Sequence, residues 1–262
     1  MSTVRKAVSL LELFTLEEPE IGLSDLARKA DLDKATARRL LVALAEHRLI
    51  EQEPASRRYR LGAGLTRLAR IRDAQLPLTR VAVPILRELS QRTGETVHLS
   101  EYSAGALLTV HVELSAKANR VNVNVGQILP LHGTASGIAL LAFARDDMRR
   151  LYLETPLAAF TLHTMTNADK VWQAVQQAAE RGYSRSAQGY EEGVHSVAAP
   201  ILGSDGYPIG TVAIASPVSR ANDTVAAAQG EMVMETTRLI TLRLIGEAVE
   251  PAAQLSSSDQ RR

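Results

Sequence analysis

The stretch that decides the fold is "LSDLARKADLDKATARRLLVALAEHRLIE", residues 23–51. Apolar side chains recur at helical spacing on both sides of the short segment "DLD". Asp33 is placed to cap a helix over residues 34–47, and Ser24 is the expected cap of the helix before it. Two short helices joined by so brief a turn predict a helix-turn-helix.

The second of these helices carries basic residues where a recognition helix would meet DNA. Its inward-facing side chains are Ala37, Leu40, Leu41 and Leu44. The polar side chains near its N-terminal end are left on other faces, and that end of a recognition helix contacts base edges and phosphates. In or beside the major groove we expect Lys34, Thr36, Arg38 and Arg39.

The segment "LIEQEPASRRYRLG" after this helix predicts a β-hairpin with strands over residues 50–53 and 58–61. A basic hairpin in this position is a wing, which can reach the flanking DNA backbone or minor groove. The basic side chains expected there are Arg57, Arg58 and Arg60. The short turn, the basic helix and the basic hairpin together favour a winged helix-turn-helix over a merely solvated helix face.

Charge and composition are consistent with a DNA-binding head on a separate body. Residues 1–72 hold 14 Lys/Arg and 10 Asp/Glu, whereas residues 73–262 hold 16 and 19. The chain has no cysteine, which excludes a disulfide framework, a thiolate zinc site and a cysteine nucleophile. No apolar run approaches the roughly 18 residues of a membrane span. We expect a cytoplasmic protein without membrane contact, since the first residues do not form a signal-peptide pattern.

The remainder of the chain predicts an α+β body. After a helix that ends at Gly94 come three β-rich segments, the last over residues 120–125. A small apolar helix follows a turn at residues 132–134. The segments "GVHSVAAPIL" and "IGTVAIAS" predict another hairpin, before a closing helix over residues 223–249. We expect an antiparallel sheet with its helices on one side.

These segments, in this order, resemble the IclR family of transcription regulators. The residues that carry the resemblance span nearly the whole chain: "LSDLARKADLDKATARRLLVALAEHRLIE", "YRLGAGLTRLA", "LHGTASGIALLAFA" and "GVHSVAAPILGSDGYPIGTVAIASPVSR". The resemblance implies a winged helix-turn-helix domain over 1–64, a linker helix over 65–76 and a GAF-like α/β effector-binding domain over 77–250. The polar tail over 251–262 is expected to be disordered.

The resemblance also implies what the protein binds. Regulators of this family form homodimers, often pair again into homotetramers, and bind pseudo-palindromic operators in double-stranded DNA. A small organic-acid effector adjusts the repression or activation of what is commonly a catabolic operon.

Matching the family's effector site position by position gives a candidate pocket. Backbone amides of the segment 134–136 would meet the effector's carboxylate, because free N–H groups at a helix N-terminus bind anions. Two alanines stand where some relatives carry serine hydroxyls, which predicts an apolar floor and a small anion with one apolar portion. The expected effector-binding residues are Thr134, Ala135, Ser136, Ser186, Gln188, Ser196, Ala213 and Ala215.

An enzyme is the alternative that the residues leave open. A metalloenzyme or a small-molecule hydrolase with an accessory DNA-binding head would need bound metal or a nucleophile. The six histidines show no metal-ligand spacing such as His-x3-His, and "GTASG" places Ser136 one position away from the G-x-S-x-G pattern. His132 adjoins the expected pocket and is a candidate ligand contact. We expect no cofactor, no metal and no catalytic activity.

Overall fold

A computed structural model describes residues 2–75 and 77–255, and the side chains of residues 2–72 and 77–246. The chain divides into two compact units, residues 1–76 and 77–262. The mixed α+β fold is confirmed, with a helix-turn-helix in the first unit and an antiparallel sheet in the second. None of the described helices combines the length and the apolar composition needed to cross a membrane.

The N-terminal unit packs its first three helices against a small hairpin, and a fourth helix follows. Its elements are α1 (Thr3–Leu11), α2 (Leu23–Lys29), α3 (Lys34–Glu46), β1 (Ile50–Gln52), β2 (Tyr59–Leu61) and α4 (Ala63–Gln75). Leu10, Leu26, Leu41, Ile50 and Tyr59 are buried in one core that ties α1, α2 and α3 to the hairpin. Apolar burial therefore holds the hairpin to α3, and antiparallel pairing joins the two strands of the hairpin to each other.

The two helix starts in this unit differ in their caps. The Asp33 carboxylate accepts a hydrogen bond from the Thr36 amide at 2.8 Å, which confirms the predicted start of α3. That hydrogen bond from Thr36 holds the pKa of Asp33 below its usual value. The prediction for Ser24 is wrong: α2 begins at Leu23 after Gly22, so Ser24 lies inside the first turn.

The C-terminal unit is built on one six-stranded antiparallel sheet in the order β5-β4-β3-β8-β7-β6. Its strands are β3 (Thr96–Ser103), β4 (Ala106–Glu113), β5 (Ile128–Leu129), β6 (Ser184–Ala187), β7 (Val194–Leu202) and β8 (Pro208–Pro217). Its helices are α5 (Leu78–Thr93), α6 (Ala135–Phe143), α7 (Asp146–Leu153), α8 (Ala168–Arg181) and α9 (Asp223–Leu255), with a 3-10 turn at Val218–Arg220.

Helices cover both faces of this sheet, so the expectation of helices on one side is wrong. Leu86 of α5 and Val233 of α9 share a core with Leu99 and Ile214 on one face. On the other face α6 packs through small residues onto the alanines of β7 and β8. The side chains on both faces of the central strands are therefore buried. These strands lack the polar, solvent-facing side of a half-exposed strand.

Two further predictions need correction. Residues 120–125 form no strand but an irregular segment and the start of a turn, and the Val121 carbonyl accepts a hydrogen bond from the Thr96 hydroxyl at 2.7 Å. Val121 and Val123 line a cavity together with Asn122, whereas Val125 is 61% exposed, and no described strand pairs with the segment. The closing helix continues to Leu255, so residues 251–255 of the expected disordered tail are helical, and residues 256–262 lie outside the described part.

Candidate nucleic-acid interface and effector pocket

The N-terminal half of α3 presents unpaired positive charge. The side chains of Lys34, Arg38 and Arg39 are exposed, while Ala37 and Leu40 on the opposite face are buried. Within the described residues, no hydrogen bond or ion pair engages any of these three cations. Thr36 is half-buried and is held by the Asp33 carboxylate through its amide. The free cations are thus available to a polyanion, and Thr36 is the least accessible of the four predicted contacts.

The three arginines of the wing have different surroundings. Arg57 sits at the turn with φ of 58°, and its side chain has no partner among the described residues. The Arg58 guanidinium donates through its Nε to the Glu20 carbonyl at 3.1 Å, which ties the wing to the segment before α2. Arg60 pairs with the carboxylates of Glu51 at 3.3 Å and Glu53 at 3.8 Å. Only Arg57 in the wing therefore resembles the free cations of α3.

The C-terminal unit holds a cavity of about 60 Å³ between α6, the central strands and two loops. Six of the eight predicted effector residues line it: Thr134, Ala135, Ser136, Ser186, Ser196 and Ala215. The lining residues that the sequence did not indicate include His98, Val121, Gln127, Leu129 and Tyr190.

The N-terminus of α6 forms one end of this cavity. Thr134 caps the helix, since its hydroxyl accepts from the Gly137 amide at 2.9 Å. The amides of Ala135 and Ser136 have no hydrogen-bond partner among the described residues. Gly137 is required here because a Cβ would lie 2.3 Å from the backbone of Leu131. The close approach brings two free N–H groups and the positive end of the helix dipole into the cavity.

His98 of β3 lies beside this helix end and was not predicted as a pocket residue. Its Nε2 is 3.3 Å from the Ser136 hydroxyl, and its Nδ1 is buried without a partner among the described residues. Burial lowers the pKa of His98 to about 4, so the imidazole is neutral at neutral pH. This end of the pocket is polar but carries no positive side-chain charge.

Gln188 and Ala213 do not line the pocket, contrary to prediction. The Gln188 side chain turns back on its own loop, where its Oε1 accepts from the Gly193 amide at 2.9 Å. Ala213 is fully buried against Ala135 and Ala139 of α6. It shares its face of β8 with Ala215 but lies two residues further from the cavity, beneath the helix.

A hydrogen bond joins the two loops at the pocket. Gln127 donates through its Nε2 to the Tyr190 hydroxyl at 2.9 Å, and both residues line the cavity. The Tyr190 ring packs edge-on against Phe160, with ring centroids 5.2 Å apart. Glu191 is the one carboxylate among the described lining residues. The two loops are therefore connected through neutral groups across the cavity.

A buried ion-pair cluster fixes the base of one of these loops. The Glu95 carboxylate accepts from the Arg220 guanidinium at 2.8 and 2.7 Å and from the Lys117 ammonium at 2.8 Å. Burial alone would raise the pKa of Glu95, but the hydrogen bonds from Arg220 and Lys117 outweigh it and hold the pKa below its usual value. The cluster thereby connects the loop that carries Val121 to the turn before α9.

His132 has a structural role and does not line the cavity. Its Nδ1 lies 2.7 Å from the Tyr152 hydroxyl and its Nε2 lies 2.8 Å from the Ala158 carbonyl oxygen. Burial raises the pKa of Tyr152, so this hydroxyl stays protonated. His132 therefore holds the segment around Ala158 in place, and this candidate ligand contact lies outside the cavity lining.

The described residues offer little for catalysis. The Ser136–His98 pair places a hydroxyl near an imidazole, but no carboxylate among the described residues orients the Nδ1 of His98. A low pKa also makes His98 a weak base at neutral pH. No group of three His, Asp or Glu side chains in the described part of the chain is arranged to hold a metal ion.

Comparison with known families decides the class of protein. The IclR helix-turn-helix domain matches residues 3–54, and the C-terminal domain of the bacterial transcriptional regulator IclR matches residues 74–242. The chain belongs to the IclR family of transcription regulators. This confirms the sequence-based prediction of a DNA-binding helix-turn-helix regulator.

Individual relatives agree with this assignment. The glycerol operon regulatory protein of Streptomyces coelicolor is 32% identical over 84% of this chain and 86% of its own length. The crystal structure of an IclR transcriptional regulator from Silicibacter sp. TM1040 is 36% identical, covers 92% of this chain and 96% of its own, and has a TM-score of 0.82. An IclR homolog from Microbacterium hydrocarbonoxydans, complexed with 4-hydroxybenzoate, is 26% identical over 94% and 100% of the two chains, with a TM-score of 0.81.

Proposed function

We propose that this IclR-type regulator binds a pseudo-palindromic operator as a homodimer or homotetramer and responds to a small organic acid, thereby controlling a catabolic operon. The observation that carries the DNA-binding part is the set of unpaired cations on α3. Cations without internal partners gain the most from phosphates, because they displace condensed counterions without first breaking an ion pair. The protein would act in the cytoplasm, where chromosomal DNA is accessible.

On DNA, α3 would enter the major groove with Lys34, Arg38 and Arg39 at base edges and phosphates. Arg57 would contact the flanking backbone from the tip of the wing. Arg58 and Arg60 would reach DNA only by giving up internal partners, so we assign them a smaller share of the affinity. Thr36 would approach the groove through the exposed part of its side chain.

Exposed apolar side chains support a second copy of the chain as partner. Val4 and Val8 of α1 are one helical turn apart and are 73% and 44% exposed. Leu68 and Ile71 of α4 are likewise neighbours on one helix face and are 47% and 48% exposed. Apolar pairs left in water at helical spacing are typical of helix faces that pack on a partner.

The effector would bind in the cavity at the N-terminus of α6. The free amides of Ala135 and Ser136 suit a carboxylate, and the hydroxyls of Ser186 and Ser196 lie on the same cavity. Val121, Leu129 and Ala215 supply an apolar wall for the rest of the molecule. The Microbacterium homolog, which was crystallised as a complex with 4-hydroxybenzoate, supports an acid as the class of ligand.

Selection of DNA by the full-length protein tests the operator. Genomic fragments of the source bacterium would be enriched by binding and then footprinted. We expect a protected site with two similar, inverted halves about one helical turn apart, or multiples of that spacing. A plot of log affinity against log salt concentration should have a slope of about −5 or steeper. Equal binding to all fragments, or no effect of salt, would refute the proposal.

A panel of compounds in a thermal-shift assay tests the effector. A ligand that binds the native state raises its stability by mass action. We expect organic acids to shift unfolding and to change operator binding at the same concentrations. A response only to uncharged compounds would contradict an acid effector while leaving the DNA-binding function intact.

A further inference from the structure

Among the described residues that line the pocket, His98 is the one buried polar side chain whose hydrogen bonds are incomplete. It is 6% exposed, its Nε2 meets only the Ser136 hydroxyl at the long distance of 3.3 Å, and its Nδ1 has no partner among the described residues. On the same face Thr96 donates to Val121 and Ser184 donates to Ala135. The buried Thr211 hydroxyl also lacks a partner among the described residues, but it lies two residues from Ala213 and does not line the cavity. Native proteins rarely leave such a group unsatisfied unless a ligand or water completes it.

We propose that His98 contacts the effector and determines its class: a monocarboxylate with a neutral hydroxyl or carbonyl oxygen close to its carboxylate. This inference rests on the proposed effector site at the start of α6. A carboxylate on the Ala135 and Ser136 amides would draw the Ser136 hydroxyl toward itself. The Nε2 of His98 would then be free to hydrogen-bond the neighbouring ligand oxygen.

The charge of the pocket limits the ligand to one carboxylate. The described lining residues include no lysine or arginine, and His98 is neutral because it is buried. A second carboxylate would lose its hydration without meeting a cation, and Glu191 would repel it. Neutral hydrogen-bonding groups such as His98, Ser186 and Ser196 can replace water around a hydroxyl or carbonyl but not around a second anion.

The cavity also guides the choice of probes. Its volume of about 60 Å³ holds several water-sized groups, so a small acid enters without rearrangement of the pocket. Three related acids therefore serve as probes: propionate, lactate, which adds a hydroxyl beside the carboxylate, and malate, which adds a second carboxylate to lactate.

Calorimetric titration of the full-length protein with these three probes tests the role of His98. We expect lactate to bind roughly tenfold more tightly than propionate, because one buried hydrogen bond is gained, and malate to bind more weakly than lactate. In His98→Leu the preference for lactate over propionate should fall to about one, with propionate affinity unchanged. His98→Gln keeps hydrogen-bonding atoms and should retain part of the preference.

Ser100→Ala is the matched control. Ser100 lies two residues after His98 on the same face of β3. It is buried and does not line the cavity. This variant should keep the full preference for lactate. If His98→Leu does not fold, the contrast between His98→Gln and Ser100→Ala still decides the question.

The outcomes separate the two proposals. Equal binding of lactate and propionate by the wild-type protein, or an unchanged preference in His98→Leu, refutes the role of His98 and leaves the acid-responsive function standing. Tighter binding of malate refutes the limit to one carboxylate. If none of the three acids binds to protein that still binds its operator, both the acid class and the role of His98 are wrong, whereas the DNA-binding function is retained.

Discussion

The starts of α3 and α6 use the same local geometry for different partners. In both, a side-chain oxygen caps the helix and accepts from the amide three residues on, at 2.8 Å for Asp33 and 2.9 Å for Thr134. In both, the next residues would face an anion. The start of α3 is exposed and surrounded by unpaired cations, whereas the start of α6 is buried among neutral groups.

The difference follows from the size of the anion. A DNA duplex cannot enter a cavity, and its charge is met by long, hydrated side chains whose binding releases counterions. A small carboxylate can be enclosed, and in a dry site oriented backbone dipoles hold it without a charged residue. Exposed charge on α3 thus suits a large partner, and buried dipoles on α6 suit a small one.

Removing the cations of α3 should have the largest effect. We expect Arg38→Ala together with Arg39→Ala to weaken operator binding by about 2–4 kcal/mol, roughly thirty- to a thousandfold. Loss of a base contact would relax sequence specificity. Loss of a phosphate contact would reduce the dependence of log affinity on log salt concentration by about one unit of slope. Gel-shift titration at several salt concentrations measures both quantities.

The control for this variant removes an exposed arginine from the other unit. Arg87 of α5 is 63% exposed and lies 3.7 Å from the Glu113 carboxylate. Because it belongs to the C-terminal unit and not to the helix-turn-helix, Arg87→Ala should leave operator binding unchanged. Unchanged binding by the α3 double variant would show that α3 is not the recognition helix.

The stability of the C-terminal unit should depend on pH through His98, which lies beside the buried start of α6. The folded pKa of about 4 lies below the unfolded value of 6.5, so below pH 6.5 the unfolded chain takes up a proton that the folded chain does not. Stability is therefore complete above pH 6.5 and falls toward pH 4, by about 2–3 kcal/mol at pH 4.5. His98→Gln should lack this part of the pH dependence.

Denaturant unfolding at pH 7 and pH 4.5 measures this difference. Trp172, the single tryptophan, lies in α8 and reports on the C-terminal unit alone. Glu95 contributes with the same sign at lower pH, because its folded pKa is lowered and its stabilising effect is lost below 4.5. Wild type and His98→Gln share that contribution, so an equal loss of stability in both would contradict a neutral, buried His98.

Local signals predicted the elements that short-range chemistry determines. Asp33 caps α3 as expected, and Gly94 ends α5 with φ of 64°, a conformation that favours glycine. The strand prediction for residues 120–125 failed: the valines alternate with polar residues, but no described strand pairs with them and Val125 is 61% exposed. Whether a segment pairs depends on distant residues, which periodicity does not report.

The missed pocket residue has a related explanation. Residues 96–101 of β3 are buried on both faces, so no exposed–buried alternation distinguishes His98 from its neighbours. The pairing of β3 with β8 determines its position: His98 lies opposite Ala213 and beside the start of α6. The family resemblance located the helix start and Ser196, but it could not locate a polar side chain on a third strand.

The smallest predicted effect concerns the cap of α3. Asn caps a helix about as well as Asp, so Asp33→Asn should keep α3 while removing the one carboxylate at its exposed start. Thr36 stabilises the ionised form of Asp33, so we expect a small loss of stability. Operator binding should become slightly tighter at low salt, because a negative charge near phosphate is lost. Weaker binding in gel-shift titrations would instead identify Asp33 as a DNA contact and remove the contrast between the cationic start of α3 and the neutral start of α6.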